Sequence, residues 1–272
     1  MYSGSTMTLL SGRMMGVHQK IDRIARKQLT QIVGKTRLFP GIRKILHFEG
    51  QNGPDAIKRK SPARDEPWHF YSPFDDDDAK LIKTIRHHYD LLVKQLKEHN
   101  SERAAFEAAW LAHALVDGLT PAHHYPYEEK LIELHEGNSL KNRNSVKNKL
   151  VLPGETRRIM LKNNWKMWGP RGLMMTHGLF EVGVAILIAP ISFSDTNPSQ
   201  EDIDKFLELG VVETFKRSAR EIAVLDMYKR YYKSGWSTKL SLDVRHKLMP
   251  TIIRTVTLAW YAAMVESGLV KK

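Results

Sequence analysis

A segment near the middle of the chain places ionisable side chains inside an apolar run with helical spacing. His113 and Asp117 are four residues apart, so they point to the same side of a helix. Gly118 and Pro121 predict the end of that helix, and His123 follows just after the break. A buried carboxylate needs a partner, because an unpaired buried charge is costly. Imidazole and carboxylate groups are ligands for zinc-like metals, so the segment predicts a buried metal site.

The composition favours a mostly α-helical protein that is large enough to bury a core. The chain has 272 residues, of which 42% are hydrophobic, and β-branched residues rarely alternate with polar ones. Because it has no Cys, disulfides and thiolate metal sites are excluded, and a metal must be held by His, Asp and Glu. The net charge of +12 favours anionic partners such as phosphate esters, nucleic acid or acidic lipid surfaces, although a solvated basic surface explains it equally well.

The sequence predicts neither a transmembrane helix nor a secretory signal. The most apolar stretch, residues 179–193, is interrupted by Glu181 and Pro190 and is shorter than the roughly 20 apolar residues of a spanning helix. The N-terminus lacks a basic region followed by an apolar run. A chain that starts at Met1 is therefore expected to be cytoplasmic, whereas a start misassigned among the first methionines leaves secretion open.

Hydrophobic periodicity predicts a single all-α domain of seven to ten helices over residues 1–272. Ser101 is the expected N-cap of the helix that carries His113. The polar residues 136–170 are expected to form an insertion or a lid rather than a domain boundary. The predicted helices cover residues 17–33, a short part of 39–64, and residues 79–99, 101–117, 174–188, 202–232 and 241–267.

Further ionisable residues extend the candidate metal site. His177 and Glu181 are again four residues apart in an apolar helical context, whereas Asp55, His69 and His18 stand in separate segments. A lone His on an apolar helix is more often a hydrogen-bonded core residue than a ligand. Two His-x-x-x-acid pairs in a chain without Cys favour metal binding, because burying both carboxylates without cations is costly.

The motifs resemble the zinc-dependent phospholipase C family, which shares its fold and metal cluster with the single-strand-specific zinc nucleases. Their order along the chain and most of their spacings are similar to those of the family, over about residues 18–185. The last ninety residues or so carry no motif, and no segment is similar to the β-sandwich lipid-binding domain of some family toxins. The motifs are Phe48-Glu-Gly-Gln-Asn-Gly-Pro-Asp55, Trp68-His-Phe-Tyr, His113-x-x-x-Asp117 with His123 six residues later, and His177-x-x-x-Glu181.

The resemblance implies a cluster of two or three zinc ions. In the family, the third ion also binds the N-terminal amine and carbonyl, usually of a Trp. This chain has no Trp before Trp68, so either processing exposes another amine, or the third site is weak or differently built. The implied ligands are Asp55, His69, His113 and Asp117 for one ion, His123, His177 and Glu181 for the second, and His18 with a shared Asp117 oxygen for the third.

One spacing departs from the family pattern. The gap between His123 and His177 is longer than usual, and His135 lies nearer the usual distance. However, the fourth neighbour of His135 is Ser139 rather than an acid. His177 and Glu181 are therefore the preferred ligands.

The resemblance implies hydrolysis of a phosphoester by a zinc-bound hydroxide, with Asp55 orienting or deprotonating the water. The first expectation is phospholipase C-like cleavage of the head-group phosphodiester of an anionic or zwitterionic phospholipid, as in lipid degradation. One alternative is a nuclease or nucleotidase that stacks single-stranded bases on aromatic rings near the metals. Another is a zinc-stabilised helical protein without turnover. The candidate aromatic residues are Trp68, Phe70, Tyr71, Trp110, Tyr125 and Tyr127.

Overall fold

The structure, a computed structural model, describes residues 1, 16–35, 37–50, 52–55, 69–134 and 151–271. All regular elements in these ranges are helices, and no strand occurs among them, so the described part of the chain is all-α as predicted. The elements include a 3₁₀ turn, Pro121–His124, and a π-helical turn, Val244–Leu248. The α-helices are α1 (Val17–Val33), α2 (Ile42–Glu49), α3 (Lys80–Lys97), α4 (Ser101–Gly118), α5 (Tyr127–Leu134), α6 (Arg157–Trp168), α7 (Leu173–Ile188), α8 (Gln200–Ala223), α9 (Met227–Ser234), α10 (Thr238–Asp243) and α11 (Met249–Glu266).

The periodicity located α1, α3, α4 and α7 to within two residues at each end. The two longest predicted helices, 202–232 and 241–267, are each divided. The first is divided into α8 and α9 at a turn where Asp226 has a left-handed φ of 50°, and the second contains the π-helical turn. Neither break interrupts the apolar pattern, so the periodicity of the sequence could not predict either one. The described residues therefore form eleven α-helices, more than the predicted seven to ten.

The predicted N-cap of α4 was wrong. Helix α4 is capped by Asn100 rather than Ser101, because the Asn100 side chain accepts the backbone N–H of Arg103 at 3.1 Å. Residues 136–170, which the sequence predicts to form an insertion or a lid, contain α6, whose cap Thr156 accepts the N–H of Ile159 at 3.2 Å. Residues 135–150 lie outside the described residues.

Helix α11 lies at the centre of the main hydrophobic core, where α1, α3, α4 and α8 pack against it. Trp260 is fully buried, and its indole N–H donates to the carbonyl of Ala108 in α4 at 3.1 Å. This bond satisfies the polar atom of a large buried ring, so Trp260 anchors α4 at full burial without an unpaired donor.

A smaller hydrophobic cluster lies beside the main core. It contains the buried side chains of Tyr127, Leu152, Met167 and Leu173, which come from α5, α6, the start of α7 and the segment before α6. Phe70 packs against this cluster, with its ring stacked on Tyr127 at 5.0 Å. Helix α7 belongs to both clusters, so its middle turns lie at their junction.

Two helical stretches, Arg157–Ile188 and Thr238–Glu266, are long and apolar enough to cross a membrane by length and composition alone. The second is 78% buried inside the molecule, where it contributes the core helix α11. The first comprises α6 and α7 with Arg171 between them. Both are weak candidates, which agrees with the prediction of no transmembrane helix.

Candidate metal centre

The structure brings all eight predicted ligand residues into one cluster at the junction of the two hydrophobic clusters. Their donor atoms form three groups, and within each group the atoms lie within 4.8 Å of one another. Two of the groups share His113, and Nδ1 of His123 in the third group lies 3.7 Å from Oδ1 of Asp117. The three groups are His18, His113 and Asp117; Asp55, His69 and His113; and His123, His177 and Glu181.

Asp117 lies at the centre of the cluster, on the last turn of α4. Its Oδ2 is 3.1 Å from Nε2 of His113 and also contacts Nδ1 of His69. Its Oδ1 is 3.2 Å from Nε2 of His18. Asp55 completes this side, with Oδ1 3.8 Å from Nε2 of His113. One carboxylate therefore faces imidazoles from three separate segments, as a bridging metal ligand would.

The second side of the cluster combines α7 with the 3₁₀ turn. Nε2 of His123 and Nε2 of His177 each lie 3.0 Å from Oε1 of Glu181. The two imidazole rings stack at 5.1 Å. Ligands about 2.0–2.1 Å from a tetrahedral zinc ion are about 3.3 Å apart, close to these separations. Two of the three donor separations therefore have the length of an edge of a zinc tetrahedron.

The first residue of the chain also lies in the cluster. The Met1 amine is 2.5 Å from Oδ1 of Asp117 and 3.4 Å from Oε1 of Glu181. The Met1 carbonyl oxygen is 2.9 Å from Nε2 of His18. An amine and a carbonyl of a residue other than Trp thus stand beside His18, where the resemblance implied an N-terminal Trp.

Backbone hydrogen bonds fix the loop that carries His69 to the turn that carries His123. The ring Nδ1 of His123 donates to the carbonyl of His69 at 3.0 Å, and the N–H of Tyr71 donates to the carbonyl of His123 at 3.1 Å. Because Nδ1 of His123 is engaged, its Nε2 is left to face Glu181. The tautomer and orientation of this imidazole are therefore set by the backbone.

The end of α4 depends on a close packing contact at Gly118. A Cβ atom at this position would lie 2.5 Å from side-chain atoms of both Leu81 and Phe215. Thr120 then donates its hydroxyl to the carbonyl of Val116 at 2.7 Å, and Pro121 begins the 3₁₀ turn. The sequence break at Gly118 and Pro121 thus places His123 within 3.7 Å of Asp117.

Sequence reasoning missed two buried carboxylates, Glu49 and Asp22, each only 1% exposed. Glu49 ends α2, and its Oε1 lies 3.1 Å from Nδ1 of His113 and 3.5 Å from Nδ1 of His18. Asp22 lies one turn after His18 on α1, so the pair repeats the His-x-x-x-acid spacing that identified the other two pairs. That spacing was the available signal for Asp22, whereas Glu49 has no such partner in sequence.

The cluster holds its central carboxylates in the ionised form. Burial alone would raise the pKa of Asp117, but the Met1 amine and the imidazoles of His123 and His113 outweigh it and hold the pKa well below the usual range. The pKa of Glu181 is lowered in the same way, by the Met1 amine and His177. Buried ionised carboxylates require cations close by, which the Met1 amine and the imidazoles supply here and which a divalent metal ion could also supply.

Asp22 has the opposite character. Burial, together with the charge of Glu49, raises the pKa of Asp22 well above its usual value. Burial alone would lower the pKa of His113, but Glu49, Asp117 and Asp55 raise it well above its usual value. The carboxylates of this site therefore differ in protonation because their charged neighbours differ.

Two of the predicted aromatic residues lie beside the cluster, whereas Tyr71 packs on Phe215 at 5.0 Å and Tyr125 on Tyr228 at 5.5 Å. The ring of Phe70 is 5.3 Å from that of His123, and Tyr127 is 5.8 Å from His177. Trp110 instead stacks on Phe106 at 4.8 Å, away from the donor groups. Trp68 and His135 lie outside the described residues.

The fold and the site together define an all-α protein with a buried cluster of His, Asp and Glu residues that could hold a metal. Comparisons with protein-family models, with curated proteins and with solved structures found no match. The function is therefore inferred from the geometry of the cluster.

Proposed function

We propose that the protein is a metal-dependent phosphoester hydrolase of the zinc-dependent phospholipase C type, which cleaves the head-group phosphodiester of a phospholipid. The observation that carries the proposal is the convergence of three adjacent donor groups, two of which share His113, in one largely buried cluster. A structural zinc site usually needs one closed set of four ligands, so three adjacent sets are more than stability requires. Neighbouring metals suit an in-line displacement at phosphorus.

The residues present fit two or three zinc ions. Imidazole nitrogens and carboxylate oxygens are the zinc donors left to a chain without Cys. Nδ1 of His113 is engaged by Glu49 and Nδ1 of His123 by a backbone carbonyl, which leaves both Nε2 atoms directed at carboxylates. Such carboxylate and carbonyl partners orient metal-binding imidazoles in general.

The protein groups of the site have separable roles in the proposed reaction. Bound zinc would lower the pKa of a coordinated water towards about 7, which makes hydroxide available at neutral pH. Asp55, which is 8% exposed and belongs to the donor group of His69 and His113, would orient that water and accept its proton. Asp117 and Glu181 remain ionised and fix the positions of the imidazoles around them.

The aromatic residues beside the cluster favour a lipid over a single-stranded nucleic acid. Nucleases of this kind need ring faces on which bases stack. Tyr127 is buried, and its ring is stacked on Phe70 with an interplanar angle of 8°. The two rings therefore pack on each other in the smaller hydrophobic cluster, and their stacked faces are not available to bases.

The proposal is tested by metal content and by hydrolysis. Elemental analysis should find two or three zinc ions per chain in the wild type and fewer in His113→Ala and Asp117→Ala. The control His246→Ala changes an exposed His and should leave the stoichiometry unchanged. The wild type should release the head group from phosphatidylcholine micelles, and a chelator should abolish the release.

Three results would count against this function. Unchanged zinc content in both cluster variants would show that the cluster does not bind zinc. Cleavage of a single-stranded oligonucleotide without lipid hydrolysis would favour the nuclease alternative. Full zinc content with no hydrolysis of either substrate would favour a zinc-stabilised protein without turnover.

A further inference from the structure

The outer side of α7 carries exposed apolar side chains. Met175, Leu179 and Ile186 are 39%, 47% and 70% exposed, and their spacings of four and seven residues place them on one side of the helix. His177 and Glu181 lie on the opposite side, in the metal centre. The helix that supplies two candidate ligands thus presents an apolar stripe to solvent.

Helix α6, which packs against α7, adds two larger exposed apolar groups. Leu161 and Trp165 are four residues apart and are 66% and 69% exposed. A side chain as large as Trp is usually well buried in a soluble protein. Trp is enriched where one side of a surface is apolar and the other is wet, as at the boundary of a lipid bilayer.

The same region is strongly cationic. Residues 157–171 contain five Arg or Lys residues and no Asp or Glu. All five are exposed, and four of them belong to α6. Helices that lie on membrane surfaces combine cations of this kind with Trp and Leu side chains. The cations are Arg157, Arg158, Lys162, Lys166 and Arg171.

We propose that this region, the α6–α7 surface, docks the protein on an anionic phospholipid bilayer. The α6–α7 surface consists of the five exposed apolar side chains named above and the five cations. Apolar side chains enter the boundary between head groups and acyl chains, while the cations contact lipid phosphates and carboxylates. The inference deepens the proposed function, because it names the lipid surface at which the metal centre would work, but docking itself requires no metal.

Charge distinguishes this occupant from a second copy of the chain. A two-fold symmetric dimer would place the α6–α7 surface against itself. Five cations of one copy would then face five cations of the other, with no carboxylate in residues 157–171 to pair with them. An anionic bilayer meets the same cations with opposite charge.

The geometry of α7 favours docking on the surface over insertion across the bilayer. The stretch Arg157–Ile188 has the length of a spanning segment only when α6 and α7 are taken together, and Arg171 lies in the break between them. Helix α7 alone has 16 residues, fewer than the roughly 20 that span the hydrocarbon core. One side of α7 is committed to His177 and Glu181, which insertion would expose to hydrocarbon. The outer stripe alone is available to lipid.

The proposal is tested by sedimentation with vesicles of phosphatidylcholine alone and of phosphatidylcholine mixed with phosphatidylserine. The full chain and its Asp55→Asn variant are both measured, so turnover does not contribute to binding. We expect both to bind the mixed vesicles, and we expect added salt to weaken the binding. Two double variants, Leu161→Ser/Trp165→Ala and Lys162→Gln/Lys166→Gln, should each weaken binding by about tenfold or more.

Matched controls change similar residues elsewhere. Val224→Ala shortens an exposed apolar side chain beyond α8, and Lys94→Gln/Lys97→Gln removes two exposed cations from α3. Both controls should bind within about twofold of the wild type. Tryptophan emission should shift to shorter wavelength on the mixed vesicles, and Trp165→Phe should abolish most of that shift.

Three results would overturn the docking proposal. The first is that the wild type stays in solution with the mixed vesicles, and the second is that the α6–α7 variants bind as well as the controls. The third is a concentration-dependent dimer that Leu161→Ser/Trp165→Ala disrupts, without vesicle binding by the wild type. Vesicle binding without hydrolysis would support docking and contradict the proposed activity, so the two proposals fail separately.

Discussion

The carboxylate of Glu49 contacts the imidazole of His113 with both oxygens. Its Oε1 is 3.1 Å and its Oε2 is 3.3 Å from Nδ1 of His113. Both residues are at least 98% buried, so this contact is shielded from water. With Nδ1 engaged by Glu49, Nε2 faces Asp117 and Asp55, where a bound metal ion would take the place of its proton. Glu49 is thus a positioning residue for an imidazole shared by two donor groups.

Replacing Glu49 should weaken metal binding without removing a ligand. We expect Glu49→Ala to lower zinc affinity by about 10- to 100-fold, the usual effect of losing the partner of a metal-binding imidazole. Glu49→Gln keeps an oxygen acceptor and should have a smaller effect. Zinc affinity is measured by competition with a chromogenic chelator, which reads metal binding directly and not activity.

Glu107 offers a matched control for Glu49. It is also fully buried and accepts from an imidazole, Nδ1 of His88, at 2.7 Å, but it lies outside the three donor groups. Glu107→Gln should lower stability and leave zinc affinity unchanged. Equal losses of zinc affinity in the Glu49 and Glu107 variants would show that the effect is a general loss of packing.

A methyl group at Gly118 should disturb the end of α4. Because its Cβ would lie 2.5 Å from Leu81 and Phe215, Gly118→Ala should lower the free energy of unfolding by about 1–3 kcal/mol. Gly178→Ala is the control, since a Cβ on Gly178 meets nothing within 4 Å and Ala favours the helix by about 0.5–1 kcal/mol. Urea unfolding followed by far-UV circular dichroism measures both variants, and a Gly118→Ala protein as stable as Gly178→Ala would contradict the packing contact.

Acid should weaken the ion pairs of Asp243, a residue outside the three donor groups. Asp243 accepts from Arg230 at 2.7 Å and pairs with Lys247 at 3.0 Å. Burial alone would raise the pKa of Asp243, but these two hydrogen-bonded cations lower it below 3.8. A lowered pKa contributes stability above the unfolded value of 3.8, and that stability is lost as the pH falls through the folded value.

Asp243→Asn tests this linkage. At pH 7 we expect the variant to be less stable than the wild type by about 1–3 kcal/mol, because hydrogen bonds to a charged group are lost. The difference between the two unfolding free energies should narrow as the pH falls below 3.8, where the unfolded wild-type carboxyl is protonated. Urea unfolding at a series of pH values measures it, and a difference independent of pH would contradict the lowered pKa.

Helical spacing alone predicted those parts of the site that lie on one helix. The spacing of His113 and Asp117, and of His177 and Glu181, identifies side chains on one helical face, and the structure places each pair at about 3 Å. Glu49 could not be found in this way, since it is 64 residues from His113 and meets it only because α2 packs on α4. Periodicity shows which face of a helix is buried, but it does not show which other helix covers it.

In a protein whose chain begins at Met1, residues added before Met1 should disturb the metal centre. The amine is buried between Asp117 and Glu181, whose carboxylates outweigh the effect of burial and raise its pKa to about 10. An added Gly-Ser dipeptide would replace this amine with an amide and force extra chain into a buried space. In a protein whose chain begins at Met1, we expect the extension to remove the ion held by His18 and Asp117 while the group of His123 and Glu181 keeps its ion. Elemental analysis should then find one zinc ion fewer per chain than in a control with the same dipeptide added after Lys272, and equal zinc content in the two proteins would mean that the Met1 amine is not a ligand.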